Sequence, residues 1–371
     1  MGTVAWKNWV AFKEGNPLIE TYEDELHSDM SFFGGPISFG PHRLSTVLRR
    51  NTTQAHVGPA IIVEGDLHAD LMPEVVVDGE LAPSDSKGYH GGTIGDEIAA
   101  LISLELGVRI RFAGMRRSTG IQGRDLPPFY VDVPRLARPG PPDREVLPRV
   151  VSRSTDLSGL SLLGSFPALD EDLQVELVRA ARAYSHGLWW ANEDPNQAWL
   201  QLVTAVEIAA GFRQKAADEP SALIEELWPE LWTAIEPAED NVRKEVSKLL
   251  APQVRATRKF VDFLEKYSPA RPDPEPQFDK LDWRQMRKHA QVVYRHRSSA
   301  LHDGKPFPMP MLEVPRIDES GAIQETPGGL SAGGLGGVWL AKETPMLLST
   351  FEYIVRDSLL YWWKEQATLA V

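Results

Sequence analysis

Near residue 300 the chain reads Arg297-Ser298-Ser299-Ala300-Leu301-His302, followed by Asp303-Gly304, where a helix should stop. This places a permanent cation and a titratable ring close together. Trp283, Met286, Ala290, Val293, Arg297 and Leu301 step by three or four residues and trace one helical face. Arg297 therefore sits in an apolar stripe, where an arginine needs an acid as partner. A second segment supplies the acid. Asn196 to Phe212 (NQAWLQLVTAVEIAAGF) is apolar nearly all round, and its polar exceptions Gln201, Thr204 and Glu207 lie three apart on one side. One reading is a structural Arg297–Glu207 bridge. The other is a catalytic arginine held in place by that acid, with His302 as its companion. Residues five apart on an ideal helix point about 140° apart. One site can use both only where the helix ends or kinks, or where a second chain completes it. The same spacing recurs at Arg284 and His289, so the neighbourhood, not the spacing, distinguishes the pair.

These residues must be positioned by helices. Helical patterns fall near 170–190, 196–212, 221–235, 239–267, 282–302 and 345–366, with a rigid proline break at Pro269 to Pro276. Residues 305–344, which include Gly333-Gly334-Leu335-Gly336-Gly337, read as a long loop. The N-terminal part is different. Pro59 to Glu64, Glu74 to Asp78 and Val108 to Phe112 read as strands, and Thr93 to Leu106 as an amphipathic helix. Gly91-Gly92-Thr93 ahead of that helix reads as a cap, although free amides there can also hold an anion. Pro127 to Pro148 is crowded with proline. The expected layout is an α+β domain over 1–125, a Pro-rich linker over 126–165 and an all-α helical bundle over 166–371.

The 371 residues carry 39 Lys and Arg against 52 Asp and Glu, a net charge of −13. Such a field opposes binding of duplex DNA over a broad face, while a local basic patch remains compatible with nucleic acid. There is no cysteine, which excludes disulfides, thiolate metal sites and cysteine nucleophiles. No apolar run approaches the roughly 20 residues that span a bilayer, and the start lacks the order of a secretory signal. The expectation is a soluble, cytoplasmic protein that makes no membrane contact.

The run Tyr294-Arg295-His296-Arg297-Ser298-Ser299-Ala300-Leu301-His302-Asp303-Gly304 resembles the signature of HEPN domains, particularly the Apea-like HEPN group. The helix with Trp199, Leu202, Thr204, Ala205, Glu207 and Gly211 resembles that family's earlier helix, in which an acid precedes a small residue and a glycine. The resemblance covers about 165–371 and implies an HEPN-like helical bundle working as a homodimer. It implies a ribonuclease without metal or other cofactor, of a kind that often serves bacteria as a toxin or an effector of defence against phage. His302 would then exchange protons with the ribose 2′-hydroxyl or the leaving 5′-oxygen, near whose working pH an unperturbed histidine titrates. Arg297 would stabilise the phosphoryl oxygens, Glu207 would hold Arg297 in its rotamer, and Ser298 would add a hydrogen bond. The products would carry 2′,3′-cyclic phosphates.

Arg284, Arg287, Lys288 and Arg295 form a basic face ahead of the motif, a solvated face or a guide for RNA, and Lys305 beyond it is within reach of a phosphate. His289 and His296 share a side but make a weak case for a metal. Trp189-Trp190 and Trp362-Trp363 suit packing more than base stacking. The function expected is an HEPN-type RNA endonuclease acting on RNA, with tRNA among the candidates and a trigger or partner protein at the N-terminal domain. The alternative is a non-catalytic HEPN module for RNA binding or protein dimerisation.

Overall fold

The computed structural model describes residues 2–48, 57–70, 76–77, 80–81, 84–119, 144–151, 154–213 and 220–369. The chain groups into two compact units. The first comprises Met1–Leu202 with Leu360–Val371, and the second Val203–Leu359. The sequence expected an N-terminal sheet region and then a helix-rich part, and that order is observed.

In the first unit, α1 (Val4–Lys13) precedes β1 (Glu20–Ser28), β2 (Phe32–Phe33), β3 (Ile37–Phe39), β4 (His42–Thr46) and β5 (Gly58–Leu67). After the short pair β6 (Val76–Val77) and β7 (Glu80–Leu81) come α2 (Ile94–Leu106), β8 (Arg111–Ser118), β9 (Thr155–Asp156) and α3 (Glu171–Trp190). The main sheet is antiparallel with strand order β3-β4-β5-β1-β8. The strand expected at 59–64 lies within β5, and the one expected at 108–112 starts at Arg111 as β8. Of the strand expected at 74–78, only Val76–Val77 falls within the described residues.

The central strand β1 was not expected, because ETYEDELHS is half acidic. Its alternation explains it: Tyr22, Asp24 and Leu26 are buried, while Glu23 and Glu25 meet Arg117 and Arg116 of β8 at 3.3 and 3.4 Å. Thr93 caps α2 through a reciprocal box with Asp96, so Gly91-Gly92-Thr93 serves as a cap with its first amides already occupied.

Two expectations are corrected in this unit. The proline-rich stretch at 127–143 lies outside the described residues, but the remainder of the expected linker is packed. Val146, Leu147, Val150, Leu157 and Leu160 are buried, and β9 pairs in parallel with β2. Aliphatic spacing therefore outweighs proline content there. The helix at 171–190, assigned by its sequence to the later bundle, groups with the sheet and packs on α2.

The chain passes from one unit to the other within α4 (Pro195–Arg213). The second unit continues with α5 (Pro220–Leu227), α6 (Pro229–Ile235), α7 (Asp240–Tyr267) and α8 (Met286–His302), and holds the first half of α9 (Leu348–Leu369). The single helix expected at 221–235 is split at Trp228, because Pro229 starts a new helix at its first position. Ile224 anchors this pair against Trp228, Leu231, Trp232 and Leu250. A 3₁₀ turn over Trp283–Gln285 leads into α8. The carboxylate of Glu325, 1% exposed, sets that entry: it accepts the Leu281 amide (2.7 Å) and the Trp283 indole (3.1 Å) and pairs with Arg271 (3.3 Å). The stretch expected as a loop at 305–344 contains a hairpin, β10 (Ser331–Gly334) with β11 (Gly337–Leu340).

Asp24 is 2% exposed beneath the start of α2, where burial and the nearby Asp96 raise its carboxyl from 3.8 to about 7. An unfolded chain gives up this proton near pH 4 and the folded chain near pH 7. The cost to the fold therefore grows between those values, to about 4 kcal/mol, and stays constant above. Asp24→Asn is expected to stabilise the protein at pH 8 relative to the parent and to lose this advantage by pH 4. Urea midpoints that respond to pH identically in the two proteins would contradict this.

Candidate functional site

Glu207 occupies the half-buried side of α4 with Gln201 and Thr204, the side that its sequence marks as polar. Its carboxylate receives two donors from α8. The Arg297 Nη2 donates to Oε2 at 2.7 Å, and the Tyr294 hydroxyl donates to Oε1 at 2.9 Å. Tyr294 and Arg297 are three residues apart and so project from one side of the helix. The guanidinium carbon also lies 5.5 Å from the centre of the Tyr294 ring. Phe260 of α7 packs on the other side of that ring, with centroids 5.1 Å apart. Burial and the adjacent Glu207 push the Tyr294 phenol well above its usual range, so it acts only as a donor. The Arg297 and Glu207 side chains each remain 21% exposed, open enough for the guanidinium to meet a ligand.

The pairing that the two sequence patterns called for is thus present. Tyr294 as a second holder of Glu207 was not foreseen from its spacing. The signal was available, since 294 and 297 flank the same stripe as Ala290 and Val293, which are 1% and 0% exposed.

Helix α8 stays regular through His302, and Gly304 then turns left-handed (φ 65°). The amides of Asp303 and Lys305 share the Ser299 carbonyl at 2.9 and 3.2 Å. His302 therefore projects about 140° away from Arg297. It is exposed and bonds to no other described side chain. Arg295 and Lys305 are likewise exposed and without a carboxylate partner among the described residues, and Ser298 is half-buried. The helix brings Arg297, Ser298 and His302 to one end of α8 but does not aim them at one point within a single chain. Leu301, expected on the covered stripe, is 53% exposed. The apolar face of α8 is uncovered in its last turn, beside both Arg297 and His302.

The basic face divides. Arg287 is bound by Asp262 (3.0 Å) and Glu265 (2.7 Å) of α7, whereas Lys288 finds only the neutral Gln285 (3.1 Å). His289 and His296 each spend a ring nitrogen on a backbone carbonyl, of Asp282 (3.0 Å) and Glu343 (2.6 Å), and burial lowers the pKa of both. Among the described residues no group of three or more histidine or carboxylate side chains is placed to hold a metal ion. No helix among them is long and apolar enough to cross a membrane. Trp362 and Trp363 are buried, at 0% and 1%, as packing requires, and Arg111 lies 4.9 Å over the Trp189 ring.

Compared with protein-family models, curated proteins and solved structures, the chain matches none.

Removing the acceptor would leave a partly buried guanidinium and a phenol without partners. Glu207→Ala is expected to cost about 2 kcal/mol in urea unfolding and Tyr294→Phe about 1 kcal/mol, because the phenylalanine leaves the ion pair in place. Equal unfolding midpoints for Glu207→Ala and the parent would show that the pair does not hold the helices.

Proposed function

We propose that the chain is a metal-independent RNA endonuclease of the HEPN type, acting as a homodimer. The observation that carries this reading is the end of α8. There an arginine fixed by two-point contact with Glu207 and Tyr294, a free histidine and an uncovered leucine occupy successive turns.

In this reading His302 removes the proton from a ribose 2′-hydroxyl. The oxygen attacks the adjacent phosphorus, the bond to the 5′-oxygen breaks, and that oxygen leaves with a proton. The products are a 2′,3′-cyclic phosphate and a 5′-hydroxyl. Arg297 neutralises charge on the non-bridging oxygens, and it stays in its rotamer because Glu207 holds one edge of the guanidinium. Glu207 is thus a positioning residue. Ser298, Arg295 and Lys305 lie close enough in the chain to contact flanking phosphates. Because Arg297 and His302 diverge on a straight helix, the site is completed by the same helix of a second chain, with Leu301 in the contact. The N-terminal sheet unit takes the part of the sensor or restraint. A toxin or an anti-phage effector is the setting that the family resemblance suggests.

The same divergence favours a second reading if the chain is monomeric. A single copy presents Arg297 and His302 to different partners, as a non-catalytic module for RNA binding or protein contact would.

The test is cleavage of total RNA and tRNA in EDTA. The parent is expected to leave cyclic phosphate ends. His302→Ala is expected to slow cleavage about a hundredfold or more, and Arg297→Ala to a similar degree. Cleavage unchanged in both variants would overturn the assignment, and a folded dimer that cuts nothing would favour the binding module.

A further inference from the structure

Along α8, Lys288, Arg295 and His302 follow one another in steps of seven residues. Seven residues are nearly two helical turns, so the three side chains stay within about 40° of one another over about 21 Å. All three are exposed. The cations that lie off this line are neutralised, Arg287 by Asp262 and Glu265 and Arg297 by Glu207. Those on the line face no carboxylate among the described residues. In a chain of net charge −13, a row of cations left open is a specific feature.

The row begins at a cavity of about 430 Å³ between the start of α8 and the segments at 326–329 and 341–345. Lys288 and Lys342 stand on its walls, and Val292, Pro327 and Pro345 give it an apolar surface. The carboxylates at its edge are already engaged. Asp282 accepts the Gln285 amide (2.6 Å) and the Arg284 backbone amide (3.2 Å), and Asp279 accepts from Arg316 (2.9 Å) and Gln324 (3.2 Å). The cavity thus offers two lysines to a phosphate and an apolar wall to a ring. That volume holds one nucleotide, and only one that is not base-paired.

We infer that α8 carries a track for single-stranded RNA that runs from this cavity past Arg295 to His302. The cavity takes one unpaired nucleotide, its base against Val292 and Pro345 and its phosphate between Lys288 and Lys342. The end of the track at His302 rests on the ribonuclease reading; the cavity and the row of cations do not. The length of the row suits roughly four nucleotides, the lower end of what single-strand modules cover. A duplex cannot enter the cavity and meets the acidic surface on both sides of the row.

The test uses the full chain and labelled 2′-O-methyl oligonucleotides of two and eight residues, which bind but cannot be cut. These are compared in fluorescence anisotropy with an eight-pair duplex. The parent is expected to bind the single-stranded octamer more tightly than the duplex. Lys288→Ala/Lys342→Ala is expected to weaken the octamer about tenfold and to reduce the slope of log affinity against log salt by about 1.4, at about 0.7 per lost phosphate contact. Binding of the dinucleotide should be weak and little changed. An octamer bound equally by parent and double variant, with the same salt slope, would overturn the track, as would no binding by the parent. Cleavage is scored separately. If the variants weaken binding and the parent cuts nothing, the track stands and the nuclease reading falls. If the parent cuts RNA and the variants bind as the parent does, the reverse holds.

Discussion

One carboxylate determines how α8 is turned about its own axis. Glu207 accepts from Tyr294 and from Arg297, two donors one turn apart. A helix held at two such points cannot rotate without breaking an ion pair and stranding a phenol. A rotation by a single residue, about 100°, would swing Arg297 out of reach and carry Lys288 and Arg295 toward the packed side. The outward direction of the cation row and of His302 therefore follows from a contact on the opposite face. The ring of Phe260 beside Tyr294 and the buried Glu325 at the helix entry hold the same orientation from two further directions.

That arrangement separates two kinds of residue that look alike in the sequence. Arg287, Arg295 and Arg297 lie within eleven residues of one another on a single helix, yet two are spent on carboxylates and one is open to solvent. The difference comes from neighbours supplied by α4 and α7, which lie 22 to 90 residues away in the chain. The exposed Leu301 follows from the same geometry. The apolar stripe outruns the elements that cover it by one turn, so the end carrying Arg297 and His302 also carries an uncovered apolar side chain.

Much of this was legible where the cause is local. Helix limits near 171, 195, 240 and 286 follow from periodicity and prolines, and the demand of Arg297 for an acid follows from its place in a stripe. What was hidden is what distant residues supply. Glu23 and Glu25 make β1 look like a solvated loop until Arg116 and Arg117 of β8 are set beside them. Residues 333–337 read as a flexible glycine run, but Leu335 (φ 49°) and Gly336 (φ 85°) adopt the two left-handed positions of a tight hairpin turn. The end of the proline-rich stretch reads as a linker by composition, although its leucines and valines are core.

The central claim is that α8, straight to its last residue, cannot bring Arg297 and His302 together within one chain, so an active site must draw on two. The direct test mixes Arg297→Ala with His302→Ala, dissociating and reassociating them in equal amounts, and measures RNA cleavage in EDTA. In a two-fold dimer half of the reassembled pairs are mixed, and each mixed pair has one of its two sites complete. The mixture should recover about a quarter of the parent rate, although neither variant cuts alone. A mixture as inactive as its components, beside a parent that cleaves, would contradict the account.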